Sequence, residues 1–114
     1  MKRGEIWWAD LGAHRPMEQT GKRPVVIWQS DALTRVLASV LVVPLTTNME
    51  RANLAGTAVV NASDGGLPDD SVALAFQMRA IPKSALSARV RPLTESEVSE
   101  LELATDEALG RVEP

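Results

Sequence analysis

Apolar positions along the chain come in short runs separated by polar, glycine- and proline-containing segments, and most runs carry the signature of strands rather than helices. "EIWWADL" (5–11) alternates in part and is rich in β-formers, which predicts a strand. "GAHRPMEQTGKR" (12–23) is polar and holds Gly12, Pro16 and Gly21, which predicts a long loop. "PVVIWQ" (24–29) is a strand that Pro24 is expected to begin, since proline gives no ladder donor. "SDALTR" (30–35) fits one helical turn capped by Ser30 or Asp31. The continuous run 36–45 predicts a buried strand, 46–56 a loop, 57–62 a strand and 63–70 a turn. A further strand is expected over 71–81, broken near Arg79. A helical turn is expected from Pro82, and a last short strand over 88–93. Thr94-x-x-Glu97 is a capping-box pattern. It opens a helix whose Val98, Leu101, Ala104, Ala108 and Leu109 share a face and whose stop is Gly110. Many short strands and one C-terminal helix, without β-α-β alternation, predict a mainly β fold: a small antiparallel barrel with a helix packed on it.

Composition adjusts this picture only slightly. A chain of 114 residues suits one domain spanning 1–114, and 45% hydrophobic with 24% charged residues is a globular balance. With no cysteine there is neither a disulfide framework nor a thiolate zinc site, and one histidine is too few for a histidine-based metal cluster. No apolar run reaches membrane-spanning length, and "MKRGEIWW" lacks a signal-peptide core, so a soluble, cytoplasmic protein with no membrane partner is expected.

Charge is more informative by region. The net charge of −3 argues weakly against nucleic acid. Residues 95–114, however, hold seven acids and one base, which leaves 8 acids and 11 bases in residues 1–94. Between Ser71 and Thr94 stand Arg79, Lys83, Arg89 and Arg91 and no acid, a candidate basic track for an RNA backbone.

Familiar catalytic patterns are mostly missing: no nucleophilic cysteine, no Gly-x-Ser-x-Gly, no phosphate-cradling glycine loop before a helix. "DGGLPDD" is a turn rather than a calcium loop. His14, alone in a polar loop, reads first as an exposed histidine and second as a proton-transfer group. Adjacent Trp7 and Trp8 must point to opposite faces. The outward one is placed either to stack a base or to fill a subunit interface, the commoner fate. "PLTTN" (44–48) reads on composition as a strand end with a hydrogen-bonded turn. Its alternative is a cluster of neutral donors for phosphate or base edges.

Several segments together change those odds. "RGEIWWADLG", "EQTGKRPVVIWQSD", "VVPLTTN", "DDSVALAFQMRAIPK" and "LTESEVSELELATDEALG" occur in this order. The chain thereby resembles, over nearly its whole length, the MazF/PemK/Kid family of toxins from bacterial toxin–antitoxin systems. The resemblance implies a small SH3-like β-barrel, homodimeric, that cleaves single-stranded RNA at short sequences without metal or other cofactor. It further implies products with a 2′,3′-cyclic phosphate and a 5′-hydroxyl, and inhibition by a cognate antitoxin. The Arg of "RPV" and the Thr of "PLT" act in catalysis in one branch of the family, and the matching residues are Arg23 and Thr46. A guanidinium offers forked donors to the charge that builds on the phosphorane and stays protonated throughout. It is for the same reason a poor base, so the base is left between Glu18 and His14. Glu18, Gln19, Thr47, Asn48, Gln77 and Arg79 are the expected substrate contacts.

The chain departs from the family in two places. Another branch has a His before the "EQ" pair and an Asp before the Gln of the late strand. Met17 and Phe76 hold those positions here, so that branch's acid–base set does not carry over. Two competing functions follow: a non-enzymatic toxin of the same barrel type that binds DNA gyrase, as the CcdB group does, and an RNA-binding barrel without cleavage.

Overall fold

The computed structural model describes residues 1–12 and 20–113. Seven strands form one antiparallel sheet among them: β1 (Glu5–Asp10), β2 (Lys22–Ile27), β3 (Ser39–Thr46), β4 (Thr57–Val60), β5 (Ser71–Leu74), β6 (Arg79–Pro82) and β7 (Leu86–Pro92). The order across the sheet is β4-β5-β3-β2-β1-β7, and β6 also pairs with β3. A short helix α1 (Asp31–Val36) joins β2 to β3, and α2 (Glu95–Ala108) follows β7. The expected mainly β architecture with a C-terminal helix is therefore present.

The sheet buries both of its faces because its strands alternate between two apolar clusters. Ile6, Val26, Val43 and Leu45 face the first, which α2 covers with Leu101, Ala104 and the half-buried Val98. Ala9, Val25, Ile27, Val40, Val42 and Ile81 face the second, with Leu11, Trp7 and Leu86 around it. Strands buried on both faces read as continuous apolar runs, which is why 36–45 shows no alternation.

Boundaries differ from the sequence expectation where apolar character hides a change of element. Val36 closes α1 rather than opening β3, and it is 75% exposed. Ser30 is the N-cap, accepting the Leu33 N–H at 3.3 Å. The buried Gln29 amide fixes this helix to the sheet, donating to Thr34 Oγ1 and the Ser39 carbonyl and accepting from Leu41 N–H. The 71–81 run breaks earlier than expected, at a 3₁₀ turn over Ala75–Gln77, and Pro82 ends β6 instead of starting the next turn. Pro24 lies inside β2, opposite Trp8. It is tolerated there because the ladder to β3 begins at Val25, so no donor is missed on that side. The loop expected over 46–56 contains a 3₁₀ turn, Met49–Asn53, capped by Asn48 Oδ1.

At α2 both arms of the capping box form: Glu97 N–H donates to Thr94 Oγ1 at 3.1 Å and Thr94 N–H to Glu97 Oε1 at 2.9 Å. Ala108 and Leu109 are exposed, so the buried stripe is shorter than the periodicity suggested.

Candidate functional site

The β2–β3 register pairs Val25 with Pro44, Val26 with Val43 and Ile27 with Val42. Continued two residues further, it sets Arg23 opposite Thr46. Paired residues on neighbouring strands share a face, and residues two apart on one strand share it too. Arg23 follows Val25 and Ile27 in this way, and Thr46 follows Pro44 and Val42. Both therefore lie at one end of the face occupied by the second cluster, opposite the helix. Ala9, small and buried, pairs with Arg23 on its other side.

Arg23 is half-buried and donates from Nε to the Thr20 carbonyl at 2.8 Å. That bond fixes the guanidinium plane and leaves its terminal N–H groups without a partner among the described residues. Thr46 is buried, and its Oγ1 accepts the Asn48 N–H at 3.2 Å. Its own proton remains available to an acceptor. Arg79 arrives from β6 on the same face, paired with Val42, and donates from Nη2 to the Leu11 carbonyl at 2.6 Å.

Two arginines are thus tied to main-chain carbonyls on either side of one loop. The loop is closed at its base by Leu11 N–H to the Gly21 carbonyl and Gly21 N–H to the Gly12 carbonyl. Gly12 and Gly21 hold φ of +85° and +74°, a left-handed backbone that a side chain would strain. The glycines that flank the predicted loop are what let β1 turn into β2 with this closure.

Of the other expected contacts, Thr47 and Asn48 are exposed just beyond Thr46, and Gln77 is half-buried at the end of its 3₁₀ turn. Glu18, Gln19, His14 and Met17 lie outside the described residues. Phe76 does not join this face. It sits toward α2, where a Cβ on Gly56 would come within 3.2 Å of its ring and 3.5 Å of the Ala108 Cβ. Among the described residues no three His, Asp or Glu side chains are grouped to hold a metal ion.

The basic track expected over 71–94 is largely spent within the fold. Arg91 pairs with Glu97 at 2.8 Å and also donates to the Gly65, Asn61 and Pro92 carbonyls. Arg89 pairs with Glu5 at 2.5 Å, and Lys83 donates to the Thr34 carbonyl. Acids distant in sequence supply the partners that the local stretch lacks. Burial pushes the Glu97 carboxyl up, but Arg91 and the Thr94 and Asn61 N–H groups outweigh this and hold it below the usual range. Burial likewise opposes, and Arg89, the Lys2 N–H and the Trp7 indole overcome, the shift at Glu5, which is also lowered.

The tryptophans divide three ways. Trp28 is buried against α2, donating to Thr105 Oγ1, with the Arg3 guanidinium 3.9 Å over its ring. Trp7 packs on the second cluster, and Trp8, equally half-buried, belongs to neither cluster.

Residues 2–109 match the model of the PemK-like, MazF-like toxins of type II toxin–antitoxin systems. The chain belongs to this family. It is 33% identical over 110 residues to an endoribonuclease MazF of Staphylococcus saprophyticus, covering 96% of this chain and 92% of that one. To endoribonuclease EndoA of Bacillus subtilis it is 29% identical over 113 residues, covering 99% and 97%. Among solved structures it is similar to Mycobacterium tuberculosis toxin MazF-mt6, with a TM-score of 0.76, 26% identity, and 93% and 96% of the two chains covered. A mycobacterial endoribonuclease in complex with its cognate antitoxin gives a TM-score of 0.80 at 24% identity, covering 100% and 99%, and shares the fold. In this PemK/MazF-like chain, Arg23 lies on β2 and Thr46 ends β3, the strand paired with it.

Proposed function

We propose that the chain is a sequence-specific, metal-independent endoribonuclease toxin, active in the cytoplasm as a homodimer and neutralised by a cognate antitoxin. What supports this best is strand alternation beyond the last β2–β3 pair, Val25 with Pro44, which gives Arg23 and Thr46 the same face, a fixed cation and a neutral hydroxyl. In the reaction the substrate 2′-oxygen attacks the adjacent phosphorus and loses its proton. The P–O5′ bond breaks as the P–O2′ bond forms. A 2′,3′-cyclic phosphate and a 5′-hydroxyl result, the latter taking up a proton. Arg23 stabilises the charge that develops on the phosphorane oxygens, because its Nε anchor leaves the terminal donors without a partner among the described residues. Thr46 Oγ1 donates to the same oxygens. Thr47, Asn48, Gln77 and Arg79, with Glu18 and Gln19, contact the RNA on either side.

The test is incubation of purified protein with a long RNA in EDTA, followed by chemical mapping of the ends. Discrete cuts with cyclic-phosphate and 5′-hydroxyl ends are expected. Intact RNA with retained binding would favour a binding barrel, and inhibition of gyrase without RNA cleavage would favour the gyrase-directed alternative.

A further inference from the structure

Beside the Arg23 strand end lies a second feature that the phosphate chemistry does not use. Trp8, Asp10, Lys22 and Ser87, with Ala9 and Ala85, line a cavity of about 200 Å3. Trp8 and Asp10 share one face of β1, and Lys22 pairs with Asp10 across β2, so the three side chains are neighbours by register. Lys22 alternates to the face opposite Arg23, but Asp10, Ala85 and Ser87 also line the groove that holds Arg79, which shares the Arg23 face, so the cavity adjoins that face along this groove. Asp10 Oδ1 accepts the Gly12 N–H at 2.9 Å, which orients the carboxylate and leaves Oδ2 and further lone pairs open. The Lys22 ammonium is exposed and has no hydrogen-bond partner among the described residues.

We propose that this cavity holds one unstacked guanine of the substrate RNA and sets a base preference next to the cut, a proposal that rests on the endoribonuclease reading above. Single-stranded RNA is read by bases splayed out, stacked on aromatic rings and hydrogen-bonded along their edges. Trp8 supplies the ring. Asp10, an acceptor only, calls for a base edge with N–H donors, and Lys22, a donor only, calls for an acceptor beside them. Guanine alone offers two adjacent donors, N1–H and N2–H, next to the O6 acceptor. Cytosine and adenine present a single exocyclic amine next to a ring acceptor, and uracil presents one donor between two acceptors.

Two measurements test this. In the first, 5′-hydroxyl ends are mapped across a random RNA pool. Wild type is expected to require G at one fixed position flanking the cut, and Asp10→Asn to relax that preference by about 5- to 100-fold. Replacing that G with inosine, which lacks the N2 amine, should slow wild type while leaving Asp10→Asn nearly unchanged, a pattern a merely structural Asp10 would not give. Loss of cleavage by equal factors for G and inosine substrates in both proteins would overturn the proposal. In the second, Arg23→Ala protein is titrated with short guanosine- and inosine-containing oligonucleotides, followed by tryptophan fluorescence, with Trp8→Phe as the control for the reporting ring. Tighter binding of the guanosine oligonucleotide is expected, and equal affinity would overturn the proposal. Discrimination in binding by a wild-type protein that cuts no RNA would overturn the nuclease reading and leave the pocket standing. A Trp8→Ala variant that dissociates in sedimentation while keeping its base preference would instead assign the cavity to a contact between copies.

Discussion

Arg91 and Arg23 both project from strands, yet their surroundings differ in kind. Arg91 is 11% exposed and spends its donors on Glu97 and three carbonyls at the foot of α2. Arg23 is half-buried and makes one bond to a carbonyl among the described residues. A guanidinium with a buried carboxylate has its charge cancelled inside the fold, and removing either partner strands the other. A guanidinium held by its Nε alone keeps its charge and most of its fork for an anion from outside. One arginine is therefore a fastener and the other an instrument, and substitution at the two sites should fail in opposite ways.

The largest effect is expected at the fastener. Glu97→Ala removes the carboxylate that Arg91, Thr94 N–H and Asn61 N–H all address. It should cost about 3–5 kcal/mol of folding stability by leaving a buried cation unpaired. Urea denaturation would measure this, and a loss below about 1 kcal/mol would show that the foot of α2 relaxes to let Arg91 reach water.

At the instrument the loss should appear in turnover. Arg23→Ala and Thr46→Ala are each expected to slow RNA cleavage at least ~100-fold, about 2.7–4 kcal/mol of transition-state stabilisation. Stability should change by under about 1 kcal/mol for Arg23→Ala. Single-turnover kinetics beside a thermal melt separate the two readouts, and near wild-type rates for both variants would remove these residues from the reaction.

Acid provides a graded version of the same comparison. Glu97 and Glu5 have folded-state values below the ordinary 4.5, so the unfolded chain binds their protons first. Their contribution is complete above about pH 4.5 and is lost as the pH falls through the folded values. Stability should therefore drop progressively below pH 4.5, and Glu97→Gln should flatten that slope while lowering the plateau. An unchanged slope would mean that other carboxylates carry the acid response.

How far this division was legible in the sequence depends on range. The capping box at Thr94 and Glu97 is a local pattern and was readable, as was the cap at Ser30. That Glu97 also neutralises Arg91 was not, because the buried contact depends on how β7 feeds α2 and on the loop at Asn61 and Gly65. The acid-free look of 71–94 misled for the same reason: Glu5 lies 84 residues from Arg89 in sequence but on the neighbouring strand, two residues from Trp7, the residue that pairs with Arg89. Arg23 and Thr46 were singled out by resemblance; the pairing of β2 with β3, which spacing in the sequence does not show, brings the "KRPV" and "PLTT" strands side by side. The limits of β3 escaped because the apolar Val36 and Leu37 carry no mark of the exposed helix end they form.

The smallest expected effect concerns the arginines between these extremes. Arg89 is about half exposed, while its partner Glu5 is largely buried and also accepts from Lys2 N–H and the Trp7 indole. Arg89→Ala therefore leaves Glu5 with two donors, and the loss in stability should stay within about 1 kcal/mol and shrink in high salt. Arg79 differs in standing on the Arg23 face, anchored by Nη2 to the Leu11 carbonyl. If the RNA backbone crosses that face, Arg79→Ala should flatten the salt dependence of RNA binding by up to about 0.7 in the log–log slope, the increment for one phosphate contact on a single strand. Arg89→Ala should leave that slope unchanged. The cleaved sequence should be the same in both variants, because a phosphate contact positions the strand without reading it. Binding isotherms at four or five salt concentrations, on an Arg23→Ala background that stops cleavage, measure the slopes directly. A flatter slope for Arg89→Ala than for Arg79→Ala would move the RNA path off the Arg23 face and onto the outside of β7, and with it the site itself.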